Sequence, residues 1–200
     1  MTVARANKGL RVIVTGAGEG IGFACASAFA ARGAELILTD HDPEALTSAG
    51  DFLGAYSRFC DVLSETSAEI FADEIEQEFL TFDVLINAAG NGFVRTLGMM
   101  RMTRALLPVL RKGSGGRLVI NIAPSEDPCP RHQLFAHAGS QSGFRTLSDA
   151  LAGQTRGSSI GVVTVSAEPD PDATAERIVG IIRSARPEWI SRSTTARRRA

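Results

Sequence analysis

The 200-residue chain is 44% hydrophobic and 22% charged, the composition of one ordinary soluble domain built around a single core. Its formal net charge of −1 excludes the strongly basic balance of a general nucleic-acid binder, and no stretch reaches the roughly 18 apolar residues that span a bilayer. Residues Met1 to Lys8 lack the apolar core of a secretion signal, and three cysteines without a CxxC spacing make no disulfide framework, so a cytoplasmic protein is expected.

In chain order, Leu10 to Thr15 (LRVIVT) is β-branched, apolar and followed by glycines, as a buried strand is. Ile21 to Ala31 is predicted as a helix closed by Arg32-Gly33, and Glu35 to Thr39 as a second strand. Pro43 opens a short helix running to about Ala49, and Tyr56 to Phe59 is a weaker third strand. Ser64 to Phe79 is a helix with Phe71, Ile75 and Phe79 on one apolar face, followed by a strand at Val84 to Ile86. Thr96 to Arg111 is a helix that Pro108 should end or kink. Leu118 to Ile122 is a fifth strand, Ala136 to Gln154 a helix, Val162 to Val165 a sixth strand and Ala173 to Arg183 a helix, with a short edge strand at Trp189-Ile190. Strict β–α alternation predicts a Rossmann-type α/β fold: a doubly wound parallel sheet of six to seven strands in three layers over residues 1–190. Residues 191–200 (SRSTTARRRA) are expected to be a disordered basic tail.

The first strand ends in Thr15-Gly16-Ala17-Gly18-Glu19-Gly20-Ile21-Gly22. Glycines at a strand-to-helix turn let a pyrophosphate approach the backbone, where the helix start offers free N–H groups and a positive dipole end. Asp40, closing the second strand, is placed to accept both ribose hydroxyls of an adenosine and to repel a 2′-phosphate. Glu19 adds to that repulsion, and no arginine follows Asp40, so NAD is favoured over NADP. Asp61-Val62 can set a carboxylate beside the adenine amino group, and Asn87-Ala88-Ala89-Gly90 is a small-residue turn at the carboxyl edge of the sheet, where ligands bind.

TGxxxGIG (Thr15 to Gly22), Asp40, Asp61-Val62, NAAG (Asn87 to Gly90), Met102 to Pro108 and Gly116 to Val119 together resemble the short-chain dehydrogenase/reductase family over residues 10 to about 185. That resemblance implies an Asn-Ser-Tyr-Lys catalytic set, in which a lysine-assisted tyrosine acts as general acid or base on the substrate oxygen. This chain departs at every one of those positions. Arg95 stands for the asparagine, Pro124 for the serine, His137 for the tyrosine and Gln141 for the lysine, and Ser125 replaces the serine only if the register slips by one. The sole tyrosine, Tyr56, lies in the third strand, and neither lysine (Lys8, Lys112) follows it by four residues. The segments after Gly90 and after Glu168, where the resemblance implies a longer chain and a substrate-covering loop, are short.

Three readings stay open. In the first, the chain is an NAD(H)-binding protein with weak or no hydride transfer. In the second, it is an atypical NAD-dependent oxidoreductase on a small carbonyl or alcohol, with His137 as general acid/base, Gln141 at the cofactor ribose, and Arg95 or Ser125 polarising the substrate. In the third, it is a non-catalytic oligomer partner. The family pairs the helices matching Thr96 to Arg111 and Ala136 to Gln154 across a two-fold axis, which implies a homodimer or a heteromer with an intact relative. Cys129, His132 and His137 beside Glu126 and Asp127 are spaced too loosely for a zinc site, so no metal is expected. Cys25 and Cys60 lie on apolar segments and are read as packing residues.

Overall fold

A computed structural model describes residues 9–113, 115–123, 134–185 and 194–196. The elements alternate as β1 (Arg11–Thr15), α1 (Gly20–Ala30), β2 (Glu35–Thr39), α2 (Pro43–Leu53), β3 (Tyr56–Ser57), α3 (Glu65–Phe79), β4 (Val84–Asn87), α4 (Gly92–Arg111), β5 (Arg117–Ala123), α5 (Leu134–Gln154), β6 (Ile160–Ser166), α6 (Pro171–Ser184) and β7 (Thr194–Ala196). The strands form one sheet in the order β3-β2-β1-β4-β5-β6-β7, every pair parallel. The order reverses direction between β1 and β4, the place where such sheets open a crevice at their carboxyl edge. Among the described residues, no helix is long and apolar enough to cross a membrane.

Alternation along the strands divides the core in two. Val12, Val14, Leu36 and Leu38 face one side and pack under α1, α2 and α6 with Phe29, Leu46 and Ile178. Ile13, Ile37, Leu85 and Val119 face the other and meet Phe71, Ile75, Met102 and Leu106 of α3 and α4. Burial on both faces is why the strands read as continuous apolar runs. Helix starts follow local chemistry: Asp42, Ser64 and Asp170 each cap a helix through the side chain, and Pro43 and Pro171 occupy first-turn positions.

Several boundaries differ from expectation, each for a physical reason. Helix α2 runs on to Leu53, because its stop is Gly54 in the left-handed region (φ 60°) and not the small residues before it. Helix α4 begins at Gly92 and passes through Pro108 without ending. Pro108 lies on the exposed face, where the carbonyl it leaves unbonded meets water, while Leu106, Leu107, Val109 and Leu110 are buried and hold the last turn on the core. Residues 194–196, read as part of a disordered tail, form β7 instead: two β-branched threonines pair with the otherwise open edge of β6. The edge strand expected at Trp189-Ile190 falls outside the described residues.

The amino ends of the three central strands are tied by one carboxylate. Asp83 accepts the backbone N–H of Arg11 at 2.9 Å and pairs with the Arg117 guanidinium at 2.9 Å. Arg117 is only 7% exposed, and a Cβ on Gly113 would stand 1.8 Å from its Nη2. A buried ion pair loses most when one partner is removed and little when both become apolar. Asp83→Ala is expected to cost about 3–5 kcal/mol in urea denaturation. Asp83→Leu combined with Arg117→Met should recover more than half of that loss, and no recovery would show that the pair is not what binds these strand ends.

Candidate functional site

At the carboxyl edge, β1 turns into α1 through backbone crossings that admit no side chain. A Cβ on Gly22 would lie 1.9 Å from the carbonyl oxygen of Gly16, and one on Gly16, itself at φ 67°, would lie 2.6 Å from the Cα of Ala89. Gly20, at φ 55°, faces open space. Glu19 is the α1 N-cap, exposed and with no side-chain capping bond, and Ile21 is half-buried. Phe23 is the first residue of α1 whose N–H finds a carbonyl, that of Glu19. The N–H groups of Gly20, Ile21 and Gly22 are therefore available, together with the positive end of the helix dipole. This cradle fits a pyrophosphate: close backbone, free donors and space above Gly20.

Asp40 closes β2 beside the turn, 5% exposed. Its Oδ2 accepts the N–H of Gly18 at 2.9 Å, and its Oδ1 lies 2.9 Å from His41 Nδ1 and accepts the N–H of Asp42 at 3.1 Å. These contacts occupy about three of a carboxylate's roughly four acceptor positions. The expected double acceptance from a ribose therefore requires the exposed His41 ring, or another donor, to let go. The sequence shows the acid but not the turn that occupies it. Asp61 is also held locally, its Oδ1 accepting the N–H of Leu63 at 2.8 Å. Val62 is buried against α4, where a Cβ on Gly98 would meet its Cγ2 at 2.8 Å.

The Asn87-Ala88-Ala89-Gly90 turn is pinned from both sides. Thr15 Oγ1 accepts the N–H groups of Ala88 and Ala89 at 3.1 and 3.2 Å. Asn87 Nδ2 donates to Thr103 Oγ1 and to Asn121 Oδ1, both at 2.9 Å. Asn121 Nδ2 donates onward to Ser148 Oγ at 3.0 Å, which is 2.6 Å from Thr164 Oγ1. A buried polar chain thus links β4, β5 and β6 to α4 and α5 directly behind the site. Sequence reasoning assigned no role to Thr103, Asn121, Ser148 or Thr164, although an asparagine inside the apolar run Leu118 to Ile122 is itself a signal, since a buried amide needs partners. Asn121→Ala is expected to cost about 2–3 kcal/mol, because it strands a donor on Asn87 and an acceptor on Ser148. A change below about 0.5 kcal/mol by denaturant titration would show that the chain does not hold the turn.

Of the positions that the resemblance makes catalytic, Arg95 and Gln141 are on α4 and α5, which meet where Thr96 Oγ1 lies 3.5 Å from the Ser140 carbonyl. Arg95 sits half-buried on the first turn of α4, its Nε donating to the Gly90 carbonyl at 2.8 Å, and burial holds its guanidinium below the usual arginine range. Gln141 is half-buried on α5, one residue from the buried Ser140. Helix α5 includes His137, one helical turn before Gln141, whereas Pro124 and Ser125 lie outside the described residues, as do Cys129 and His132. Tyr56 is far from the crevice: it is in the edge strand β3, its ring edge-on to Phe79 at 5.1 Å. Lys112 caps the far end of α4 and pairs with Glu76. Cys25 and Cys60 are buried free thiols, and burial pushes Cys25 up to about 12.

The sequence profile of the short chain dehydrogenase family matches residues 11–169. D-threitol dehydrogenase of Mycolicibacterium smegmatis is 31% identical over 176 residues, spanning 77% of this chain and 67% of that protein. A Mycobacterium tuberculosis protein named "Probable oxidoreductase EphD" is 29% identical over 177 residues, and this chain spans only 30% of its length. Among solved structures, the Pseudomonas aeruginosa RhlG/NADP active-site complex superposes with a TM-score of 0.85 at 20% identity, over 98% of each chain. A short chain dehydrogenase from Mycobacterium smegmatis gives 0.80 at 24%, over 98% of this chain and 95% of that one.

Proposed function

Since the chain belongs to the short chain dehydrogenase family, we propose that it binds NAD(H) at the Thr15 to Gly22 turn and carries out weak hydride transfer or none. The observation that carries this reading is the contrast between the two halves of the crevice. The phosphate-binding half keeps every close backbone crossing and free N–H group. The chemical half has no tyrosine and no lysine among the described residues: Tyr56 is on edge strand β3 and Lys112 at the distal end of α4. A bound nicotinamide supplies the hydride-accepting carbon. The chain's own residues hold the cofactor through the α1 N–H groups, position the ribose near Asp40 and shape the edge through the Asn87 to Gly90 turn. Proton transfer is the step left without its usual group, and that step commonly contributes a factor of about 10²–10⁴.

Preference for NAD over NADP is supported by the acids at the adenosine end, buried Asp40 and exposed Glu19, which oppose a 2′-phosphate. One observation favours a second reading. Helix α5 starts at Leu134, which places His137 and Gln141 one turn apart on a continuous helix. A histidine there can act as general acid/base on a small carbonyl or alcohol. For assembly, α4 and α5 flank a cavity of about 650 Å³ lined by Met99, Met100, Leu107, Leu147 and Leu151. The family's pairing of these helices makes it the face for a homodimer or for a heteromer with an intact relative.

Calorimetric titration with NAD+, NADH and NADP+ tests the binding claim. The first two are expected to bind at least tenfold tighter than NADP+, and Asp40→Ala should narrow that gap. Equal affinities in the unmodified chain would overturn the NAD preference, and no binding by any of the three would overturn the reading itself. A ketone and alcohol screen across pH 5–9 tests the chemistry. Turnover that disappears in His137→Ala would replace the first reading with the second.

A further inference from the structure

Arg95, like Arg101, is a half-buried cation bonded to a backbone carbonyl and, among the described residues, to no carboxylate. Arg11, Arg32, Arg58, Arg104, Arg117 and Arg177 each hold a glutamate or an aspartate. Most of those pairs are at least partly open to water, where a counter-charge matters least. Arg95 is half-buried, yet among the described residues no carboxylate pairs with it, and its one hydrogen bond is Nε to the Gly90 carbonyl. That bond fixes the plane of the guanidinium and uses one of its five N–H donors, leaving the four on Nη1 and Nη2 for a ligand. Burial without compensation disfavours its charged form, in keeping with its lowered pKa.

The surroundings reinforce the positive charge. Arg95 is in the first turn of the 20-residue helix α4, whose N-cap Asn91 makes no side-chain capping bond. Arg95 itself is the first residue of α4 whose N–H finds a carbonyl, that of Asn91, so the N–H groups of Gly92, Phe93 and Val94 are free. The carbonyl that anchors Arg95 belongs to the same turn as Ala89, against which Gly16 packs. The starts of α1 and α4, with their positive dipole ends, therefore lie at the same edge of the sheet as this guanidinium. Of the acids on that edge, Asp40 is engaged by Gly18, His41 and Asp42 and Glu19 is exposed, and neither makes an ion pair with Arg95.

We propose that Arg95 makes the crevice a binding site for an oxyanion, received by its two terminal amino groups and the open start of α4. Two sources carry that chemistry: the pyrophosphate of a dinucleotide and a carboxylate on the substrate. The pyrophosphate case rests on the dinucleotide reading above, and the carboxylate case does not. A charge-assisted guanidinium contact is strong and geometrically specific, so its loss should be large.

The test titrates NAD+, adenosine and oxalate into the unmodified chain, Arg95→Gln and Arg95→Lys, with thermal unfolding as the check on folding. If the anion is pyrophosphate, Arg95→Gln weakens NAD+ at least tenfold, leaves adenosine within twofold, and Arg95→Lys recovers part of the loss. If it is a substrate carboxylate, NAD+ is unchanged while oxalate binding to the NAD+-loaded chain disappears in Arg95→Gln. NAD+ and adenosine weakened alike, or neither NAD+ nor oxalate affected, overturns the proposal by making Arg95 structural. Oxalate bound by the unmodified chain and lost in Arg95→Gln, with no nucleotide bound by either, overturns the dinucleotide reading and leaves the anion site standing. Should Arg95→Gln fail to fold, inorganic pyrophosphate and oxalate titrated into the unmodified chain decide the matter, and no saturable binding of either overturns the proposal.

Discussion

The crevice depends on one contact between backbones. Gly22 lies so close to Gly16 that a Cβ would sit 1.9 Å from the Gly16 carbonyl oxygen, and Gly16 in turn presses against Ala89. Because of these two approaches, α1 starts directly above the end of β1 and beside the end of β4. The free N–H groups of α1 then point into the space where the sheet order reverses. Any side chain at either glycine would push the helix start away and close the cradle. Thr15 completes the junction by accepting two N–H groups from the β4 turn.

Behind that junction the fold invests polar groups where apolar ones would pack. The chain from Thr103 through Asn87, Asn121 and Ser148 to Thr164 is buried and internally bonded, and it fixes the relative height of β4, β5 and β6. Asn87 Oδ1 is nevertheless left without a partner, an imperfection in an otherwise satisfied network. The scaffold that would orient a substrate is thus in place at its base. What differs is the upper surface. Arg95 occupies the first turn of α4, and Gln141 stands on α5 where the family resemblance implies a lysine.

Much of this was legible in the sequence because the signals were local. Continuous apolar runs marked β1, β2 and β4 to within a residue, and Pro43 marked the start of α2. The glycine spacing located the turn, since only glycine tolerates those crossings. The rest required three-dimensional context. Pro108 stays inside α4 because its exposed side lets water take the freed carbonyl, which the dipeptide cannot reveal. Asp40 announces an acid at the end of β2 but not that Gly18, His41 and Asp42 already engage it. β7 pairs far from its chain neighbours, at the free edge of β6, so a short polar stretch carried no sign of it. The isolation of Arg95 from any carboxylate is likewise a property of packing.

The most direct test of the account is amide hydrogen exchange of the chain with and without saturating NADH. The account predicts slowed exchange confined to Gly20, Ile21 and Gly22, whose free N–H groups meet the pyrophosphate, and to the Asn87 to Gly90 turn beside them. Unchanged exchange at Gly20, Ile21 and Gly22 under saturating NADH would contradict it, because those donors would then be open for a reason other than a dinucleotide.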